Sequence, residues 1–278
     1  MLSETSGLGE RELTAIAELE GRVVGYDGSR LKLEWPTLRE RPSREVNDLL
    51  CWEGDALVGF LGLYSFGRQL ELAGMVDPRA RRRGIGTALV DRALGIAQAR
   101  SFGKALLVVP TSGEAGRLFA QSKGAALDHT EHFLVLSEAP RGPAAHQEVV
   151  VRAAAPADDS AIVRVRSLAF GEQWAHLGPE SPTEHQLVVE RHGTVIGTLR
   201  VSTDGAAAGI YGFAIEPASQ GQGIGREVLR RVCNRALADG AAQVTLEVAL
   251  DNERALGLYT SVGFRQQATE EYWALLTT

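Results

Sequence analysis

Two short stretches carry residue types suited to holding an anion. Val76-Asp77-Pro78-Arg79-Ala80-Arg81-Arg82-Arg83-Gly84-Ile85-Gly86 and Ile215-Glu216-Pro217-Ala218-Ser219-Gln220-Gly221-Gln222-Gly223-Ile224-Gly225 each join a strand pattern to a helix pattern. Proline cannot donate to a β-ladder and closes the strand. Glycines let the backbone approach phosphate oxygens with no Cβ in the way. The first N–H groups of the helix that follows lack intrahelical acceptors, and the positive end of its dipole faces the same point. The chemistry expected is capture of a phosphate or pyrophosphate. Neither stretch is a Walker loop, since no Gly-Lys-Ser/Thr follows. Neither opens a βαβ unit with six-residue GxGxxG spacing and a following ribose acid. Arg81, Arg82 and Arg83 add positive charge to the first stretch alone.

The two stretches belong to an internal repeat. Residues 71–139 and 210–278 align without gaps at a constant offset of 139, with 15 of 69 positions identical. The identities fall on Pro78/Pro217, Gly84-Ile85-Gly86/Gly223-Ile224-Gly225, Ser122/Ser261, Gly124/Gly263 and Glu131/Glu270. Proline and glycine kept in register imply the same backbone turns made twice. Between the copies runs Ala139-Pro140-Arg141-Gly142-Pro143-Ala144-Ala145-His146, with linker composition. The expected division is a first domain over 1–139, a linker over 140–147 and a second domain over 148–278.

The elements that must position the loops follow from periodicity. In the second half, Val149–Arg152 reads as a strand, and Asp158-Asp159 opens a helix carrying Ile162, Val165 and Leu168 on one side. A hairpin over Gln186–Glu190 and Thr194–Val201 turns at His192-Gly193, and a strand over Ala207–Ile215 ends at Pro217. After the loop come a helix bearing Val228, Leu229 and Val232 and stopped at Gly240, the strand Val244–Val248, a helix over Asn252–Ser261 stopped at Gly263, and the strand Tyr272–Leu275. The first half repeats the order: a helix from Glu10, a hairpin at Gly54-Asp55, the strand Leu70–Val76, helix Thr87–Arg100, strand Ala105–Val109, helix Glu114–Ser122 and strand Phe133–Leu136. Each copy is a mixed α/β (α+β) domain.

Composition narrows the function classes. The chain has 278 residues and a formal charge of −6. Residues 1–139 hold 17 Lys+Arg against 19 Asp+Glu, and the rest hold 12 against 16, so neither half is a basic nucleic-acid module. The two cysteines, Cys51 and Cys233, sit in different halves without metal or redox spacing, and Cys233 reads as a buried, inert thiol. The N-terminus has no charged n-region or apolar h-region, and no apolar run approaches 18 residues, so a cytoplasmic protein without a membrane association is expected.

The pattern Arg/Gln-x-x-Gly-x-Gly after a strand ending in x-Pro resembles the acetyl-CoA motif of the GNAT acetyltransferase superfamily. The resemblance continues through Leu246-Glu247-Val248, Asn252, Ala255, Leu258-Tyr259 and Gly263-Phe264. It covers about 130 residues of the second half and, less fully, the first. It implies two tandem GNAT-type domains, each a mostly antiparallel central sheet flanked by helices. It also implies acetyl-CoA as the acyl donor, and transfer by direct attack of a primary amine on a small molecule or a peptide N-terminus.

The same resemblance assigns residues. In the second copy the cofactor contacts are Phe213, Ala214 and Ile215 on the strand, Gln220, Gly221, Gln222, Gly223, Ile224, Gly225 and Arg226 in the loop and helix start, and Asn252. In the first copy they are Met75, Val76, Arg81, Arg82, Arg83, Gly84, Ile85, Gly86 and Thr87. Tyr259 takes the place of the general acid that protonates the departing thiolate, and Glu247 that of the general base. Glu216 is a second base candidate that reads better as a loop charge. The first copy has Ala120, Val108 and Gly113 where the second has Tyr259, Glu247 and Asn252, so it reads as a binding fold without an acid. The segment Gly171–His185 lies where the family places acceptor loops, with Trp174 and His176 in it. Tandem architecture with an active C-terminal copy resembles the mycothiol synthases, whereas the Glu247 strand is closer to the single-domain acetyltransferases of peptide N-termini. A non-catalytic acyl-CoA sensor or scaffold is the alternative from another class. The chain is read as a monomer or homodimer.

Overall fold

A computed structural model describes residues 1–277 except 42–43, 67–68, 143–144, 173–174, 177–183 and 205. The chain forms two compact units, Met1–Thr130 with Ala268–Thr278, and Glu131–Gln267.

Unit 1 begins with β1 (Leu2–Thr5) and α1 (Glu10–Asp27). Helix α1 has acids in its first turn, buries Ile16, Leu19 and Val23 at helical spacing, and ends at Gly28 with φ 67°. A short helix α2 (Trp35–Glu40), which the periodicity did not signal, starts with proline in its first turn. Then come β2 (Asp48–Glu53), β3 (Ala56–Phe66), β4 (Gln69–Val76), α3 (Ile85–Ala99), β5 (Lys104–Pro110) and α4 (Glu114–Ser122). The neighbours β1–β2, β2–β3 and β3–β4 are antiparallel, while β4 and β5 run parallel.

The chain passes into unit 2 within β6 (Ala126–Leu136), and unit 2 continues with β7 (Val149–Ala153), α5 (Asp159–Phe170), β8 (Glu184–Arg191), β9 (Thr194–Asp204), β10 (Ala207–Ile215), α6 (Ile224–Ala238), β11 (Gln243–Ala249) and α7 (Glu253–Val262), before β12 (Arg265–Leu276) returns to unit 1 from Ala268. The β8–β9 turn falls at His192 (φ 50°) and Gly193 (φ 77°), the twist that right-handed strands require of a two-residue hairpin. Strands β7 to β10 pair antiparallel in order, and β10 meets β11 in parallel. The core under α6 and α7 is built from Leu199, Ile210, Val228, Leu229, Val232, Leu246, Val262 and Phe264. Cys233 is fully buried there, and burial pushes its thiol up to about 12, so it stays protonated.

Strand pairing departs from the repeat. β12, from the second copy, pairs with β5, Glu270 opposite Pro110 through Leu276 opposite Lys104. β6, from the first copy, pairs with β11, Glu131 opposite Ala249 through Leu136 opposite Val244. The boundary expected at 139 follows the repeat; the compact units follow these ladders. Within unit 1, Tyr272 is fully buried, its hydroxyl accepts from Lys32 Nζ at 2.7 Å, and its ring stacks on His129 at 4.2 Å. Arg30 pairs with Glu270.

Gly142, Ala145 and His146 of the Pro/Gly/Ala stretch are held along α6. Arg230 donates to Gly142 O at 2.6 Å, and Arg231 donates to the carbonyls of Ala145 and His146, both at 3.1 Å. Glu227, 3% exposed, accepts from both arginines and fixes their direction.

Unit 1 buries an acid. Asp48 is wholly buried, 3.3 Å from Arg41 Nη1, and burial raises its carboxyl to about 6 despite that neighbour. A carboxyl raised above its unfolded value near 4 favours the fold at low pH and loses that contribution as pH rises through about 6. We expect unit 1 to lose about 1–3 kcal/mol between pH 4 and pH 7.5 from this group. Asp48→Asn should flatten that slope, read by denaturant titration at the two pH values. An unchanged slope would place the raised carboxyl elsewhere.

Candidate active site

The opening in unit 2 begins where two strands part. β10 and β11 are paired only over Ala207–Gly209 and Gln243–Thr245. Beyond that β11 continues against β6 and β10 continues against β9. The β9–β10 register then slips between Tyr211 and Ala214, with Gly212 at φ 55°. This bulge takes Gly212 and Phe213 out of the ladder, which turns backbone polar groups away from pairing. The matching strand of unit 1, β4, runs in unbroken register from Gln69 to Val76. Its pairing with β5 is just as short, Leu70–Leu72 with Ala105–Leu107. So both units open, and the described pairing shows the bulge in unit 2 alone.

The loops are twins in backbone. Gly84 and Gly223 precede their helices at φ 82° and 84°, and neither helix has a side-chain cap. The leading motif residue ties the loop to its strand in both: Gln220 Nε2 donates to Ile215 O at 2.6 Å, and Arg81 Nε to Val76 O at 3.2 Å. Both side chains thus hold the loop in shape. Arg81 is further engaged by Asp27, with bonds of 2.8 and 2.6 Å, and Arg83 pairs with Glu53 at 2.5 Å. Arg82 is exposed at φ 62°, the place that Gly221 occupies at φ 76°. A side chain there costs roughly 1 kcal/mol of backbone strain. Ile85 is half-buried and Thr87 exposed, whereas Met75 turns into the core under α1, and Gly86 and Val76 lie beside the Phe119 ring.

In unit 2, Ile224 is buried and Arg226 Nε bonds Ser261 Oγ at 3.0 Å, tying α6 to α7. A Cβ on Gly225 would stand 3.4 Å from Leu258 and 3.7 Å from the Phe213 ring, so these three line one spot. Ala214 and Ile215 are buried at the end of β10. Gln222 Oε1 accepts from Arg191 at 2.8 Å. His146 Nε2 lies 3.3 Å from where a Gly223 Cβ would be, so the linker passes beside the loop. Asn252 caps α7, its side chain accepting from Ala255 N at 3.1 Å, and is otherwise exposed.

Tyr259 is 8% exposed on α7, its ring edge-on to Phe264 at 6.0 Å. Burial pushes its phenol up to about 12, and its hydroxyl has no hydrogen-bond partner among the described residues. A polar tip on a buried ring normally finds a partner. Glu247 is half-buried on β11, with Leu246 and Val248 turned to the α6–α7 core, so it points to the other face. Glu216 is ion-paired with Arg164 at 2.7 Å and accepts from Ser219, in keeping with a loop charge. His176 is exposed, and Trp174 lies outside the described residues. The periodicity missed the Gly212 bulge, although a glycine inside a strand pattern is its known signal.

Unit 2 thus sets two parted strands and an uncapped helix start beside a helix that carries a buried tyrosine. The family model described as "Acetyltransferase (GNAT) family" matches residues 27–124 and 160–264, and the chain belongs to that family of acetyltransferases. It is 27% identical over 266 residues to the mycothiol acetyltransferase of Mycolicibacterium vanbaalenii, covering 86% of each chain. It is 38% identical over 90 residues to the N-alpha-acetyltransferase RimI of Mycobacterium tuberculosis, 31% of this chain and 55% of that one. Among solved structures, a tandem GNAT protein from the clavulanic acid biosynthesis pathway superposes with TM-score 0.72 at 16% identity, covering 100% of this chain and 98% of that chain. A GCN5-related N-acetyltransferase from Sphaerobacter thermophilus superposes with TM-score 0.77 at 18% identity, covering 99% of this chain and 96% of that chain. Among the described residues no helix is long and apolar enough to cross a membrane.

Proposed function

We propose that unit 2 transfers an acetyl group from acetyl-CoA to a primary amine, and that unit 1 keeps the binding fold without the chemistry. The observation that carries this is the Tyr259 hydroxyl, without a hydrogen-bond partner among the described residues, in the unit that also has the bulged strand. The residues present fit the donor: glycines at positive φ, an uncapped helix start, and a strand with ladder positions left open. Acetyl-CoA, when bound, supplies an activated acyl thioester. The loop N–H groups of Gly223 to Gly225 hold the pyrophosphate. The Gly212-Phe213 backbone orients the acyl arm, and the Asn252 amide, whose oxygen is used in capping, offers its N–H to the pantetheine. Glu247 takes the proton from the attacking ammonium. Tyr259 stays protonated at neutral pH and donates its O–H to the departing sulfur. The aminosugar-thiol acceptor implied by the mycothiol acetyltransferase relatives, matched over most of the chain, and the α-amino group implied by the RimI match are the two acceptor readings.

The test is release of free thiol from acetyl-CoA with a panel of amines and peptides. Amine-dependent release supports transfer; tight coenzyme A binding without release on any acceptor favours a sensor. In a titration with coenzyme A we expect two sites per chain, because the unit 1 loop keeps the same backbone with Arg81 and Arg83 engaged elsewhere. Gly84→Val should remove one of them. A single site in the native protein would confine binding to unit 2.

A further inference from the structure

The α5 side of the unit 2 sheet is polar where a core would be apolar. Along β9, Leu199 and Val201 face the α6–α7 core, and Thr198, Arg200 and Ser202 face the other way at 0%, 8% and 5% exposure. α5 adds Arg166 to this side, 5% exposed. Register places Gln186, Arg200 and Tyr211 opposite one another on β8, β9 and β10. Gly209 pairs with Thr245, so Tyr211 and Glu247 stand two residues further along, on this same face, where β10 and β11 have parted. One cross-strand row therefore runs Gln186, Arg200, Tyr211 and, across the opening, Glu247.

The charged groups packed beside this row include Glu184 and Arg166. Arg200 Nε lies 3.5 Å from Glu184 Oε2. Arg166 donates to the Gln186 side-chain oxygen, and among the described residues it has no carboxylate of its own. The charged groups acting on it are Arg200, which repels, and Glu184. Burial first, and then Arg200, hold the Arg166 guanidinium down to about 10. A buried guanidinium that lies beside another and has no carboxylate of its own among the described residues is costly unless an anion joins it. The receptor is also rigid: Gln186 Nε2 donates to Thr198 Oγ1 at 2.6 Å and to Leu199 O at 2.9 Å, which fixes the oxygen that Arg166 meets. Guanidinium forks suit carboxylate and phosphate oxygens.

We propose that Arg166 and Arg200 form the recognition site for an oxyanion, carboxylate or phosphate, carried by the acceptor amine. This rests on the acetyl-transfer reading and names its substrate class. The oxyanion sits over Arg200 and Arg166, and the amine reaches across Tyr211 to Glu247. The paired β9–β10 interval contributes about 5 Å and the parted β10–β11 interval more than that, so the Cα atoms at the ends of that span stand more than about 10 Å apart. Long side chains close in from both ends, so the acceptor is a small molecule of amino-acid or amino-sugar-phosphate size.

The experiment compares matched acceptors on the full chain by thiol release: alanine against alaninamide, and glucosamine 6-phosphate against glucosamine. We expect kcat/KM to favour the charged member of at least one pair by about 10- to 100-fold, the range for hydrogen bonds to a charged group. The pair that shows it separates carboxylate from phosphate. Arg166→Gln and Arg200→Gln should bring that ratio close to one. Equal turnover of both members by the native protein overturns the proposal, as does a variant that slows both members alike and leaves the ratio intact. If the variants do not fold, competition in the native protein decides: inorganic phosphate or succinate should raise the apparent KM of the charged acceptor well above a chloride control, and no such rise overturns the site. If no amine turns over, the transfer reading fails by itself. Thermal unfolding of the native protein with each pair then reads the anion site, with equal shifts refuting it and a larger shift from the charged member supporting it.

Discussion

Tyr259→Phe should lower kcat for thiol release by about 100- to 10,000-fold, the usual scale for a positioned general acid. The KM for acetyl-CoA should change little, because the ring remains to pack against Phe264 and the loop contacts are untouched. Removing a hydroxyl that has no hydrogen-bond partner among the described residues orphans no group among them, so stability should hold or rise slightly. With the phenol at about 12, the group is in its donating form throughout the assay range. The alkaline limb of a pH profile should therefore come from another group and keep its midpoint in the variant. Steady-state kinetics from pH 6 to 10 on both proteins checks this. A variant with native kcat would move the acid elsewhere.

Tyr272→Ala should cost about 3–5 kcal/mol, the scale for truncating a buried aromatic, and the loss should appear in unit 1. The residue lies in the last strand of the second copy, yet its contacts are Lys32, His129 and the β5 ladder around Val108. Lys32, 7% exposed, would keep Glu71 at 3.2 Å but lose the phenol oxygen, adding a lost buried hydrogen bond to the cavity. Hydrogen exchange by mass spectrometry should show protection lost over Lys104–Pro110 and around Lys32, with Gln243–Ala249 far less affected. Loss centred on β11 would refute the assignment of β12 to unit 1.

The contrast between local and non-local signals explains how much of this was legible in the sequence. The glycine loops, the hairpin at His192-Gly193 and the helix stop at Gly263 are set by backbone preference within a few residues, and composition reveals them. The order of strands and helices in the second copy follows from periodicity for the same reason. The partner of a strand is a different quantity. Phe133–Leu136 and Tyr272–Leu275 both read as short strands, and nothing within them says which ladder they complete. The fates of polar side chains are equally hidden. Arg81 looks like an anion ligand until α1 brings Asp27 to it, and Asn252 looks like a pantetheine contact while also serving Ala255 as a cap. The arginine pair was invisible because Arg166 sits on a helix and Arg200 on a strand 34 positions later, and only burial on a shared face gives them meaning.

The crossed final strands bear on how this gene can be cut. Cloned alone, residues 1–139 would carry β6 but lack β12, leaving β5 with an open edge of the kind that recruits a foreign strand. Residues 140–278 would expose β11 and carry a spare β12. Each fragment holds the piece that the other needs, so the halves make a natural two-part complementation system, poor as separate products and competent when produced together.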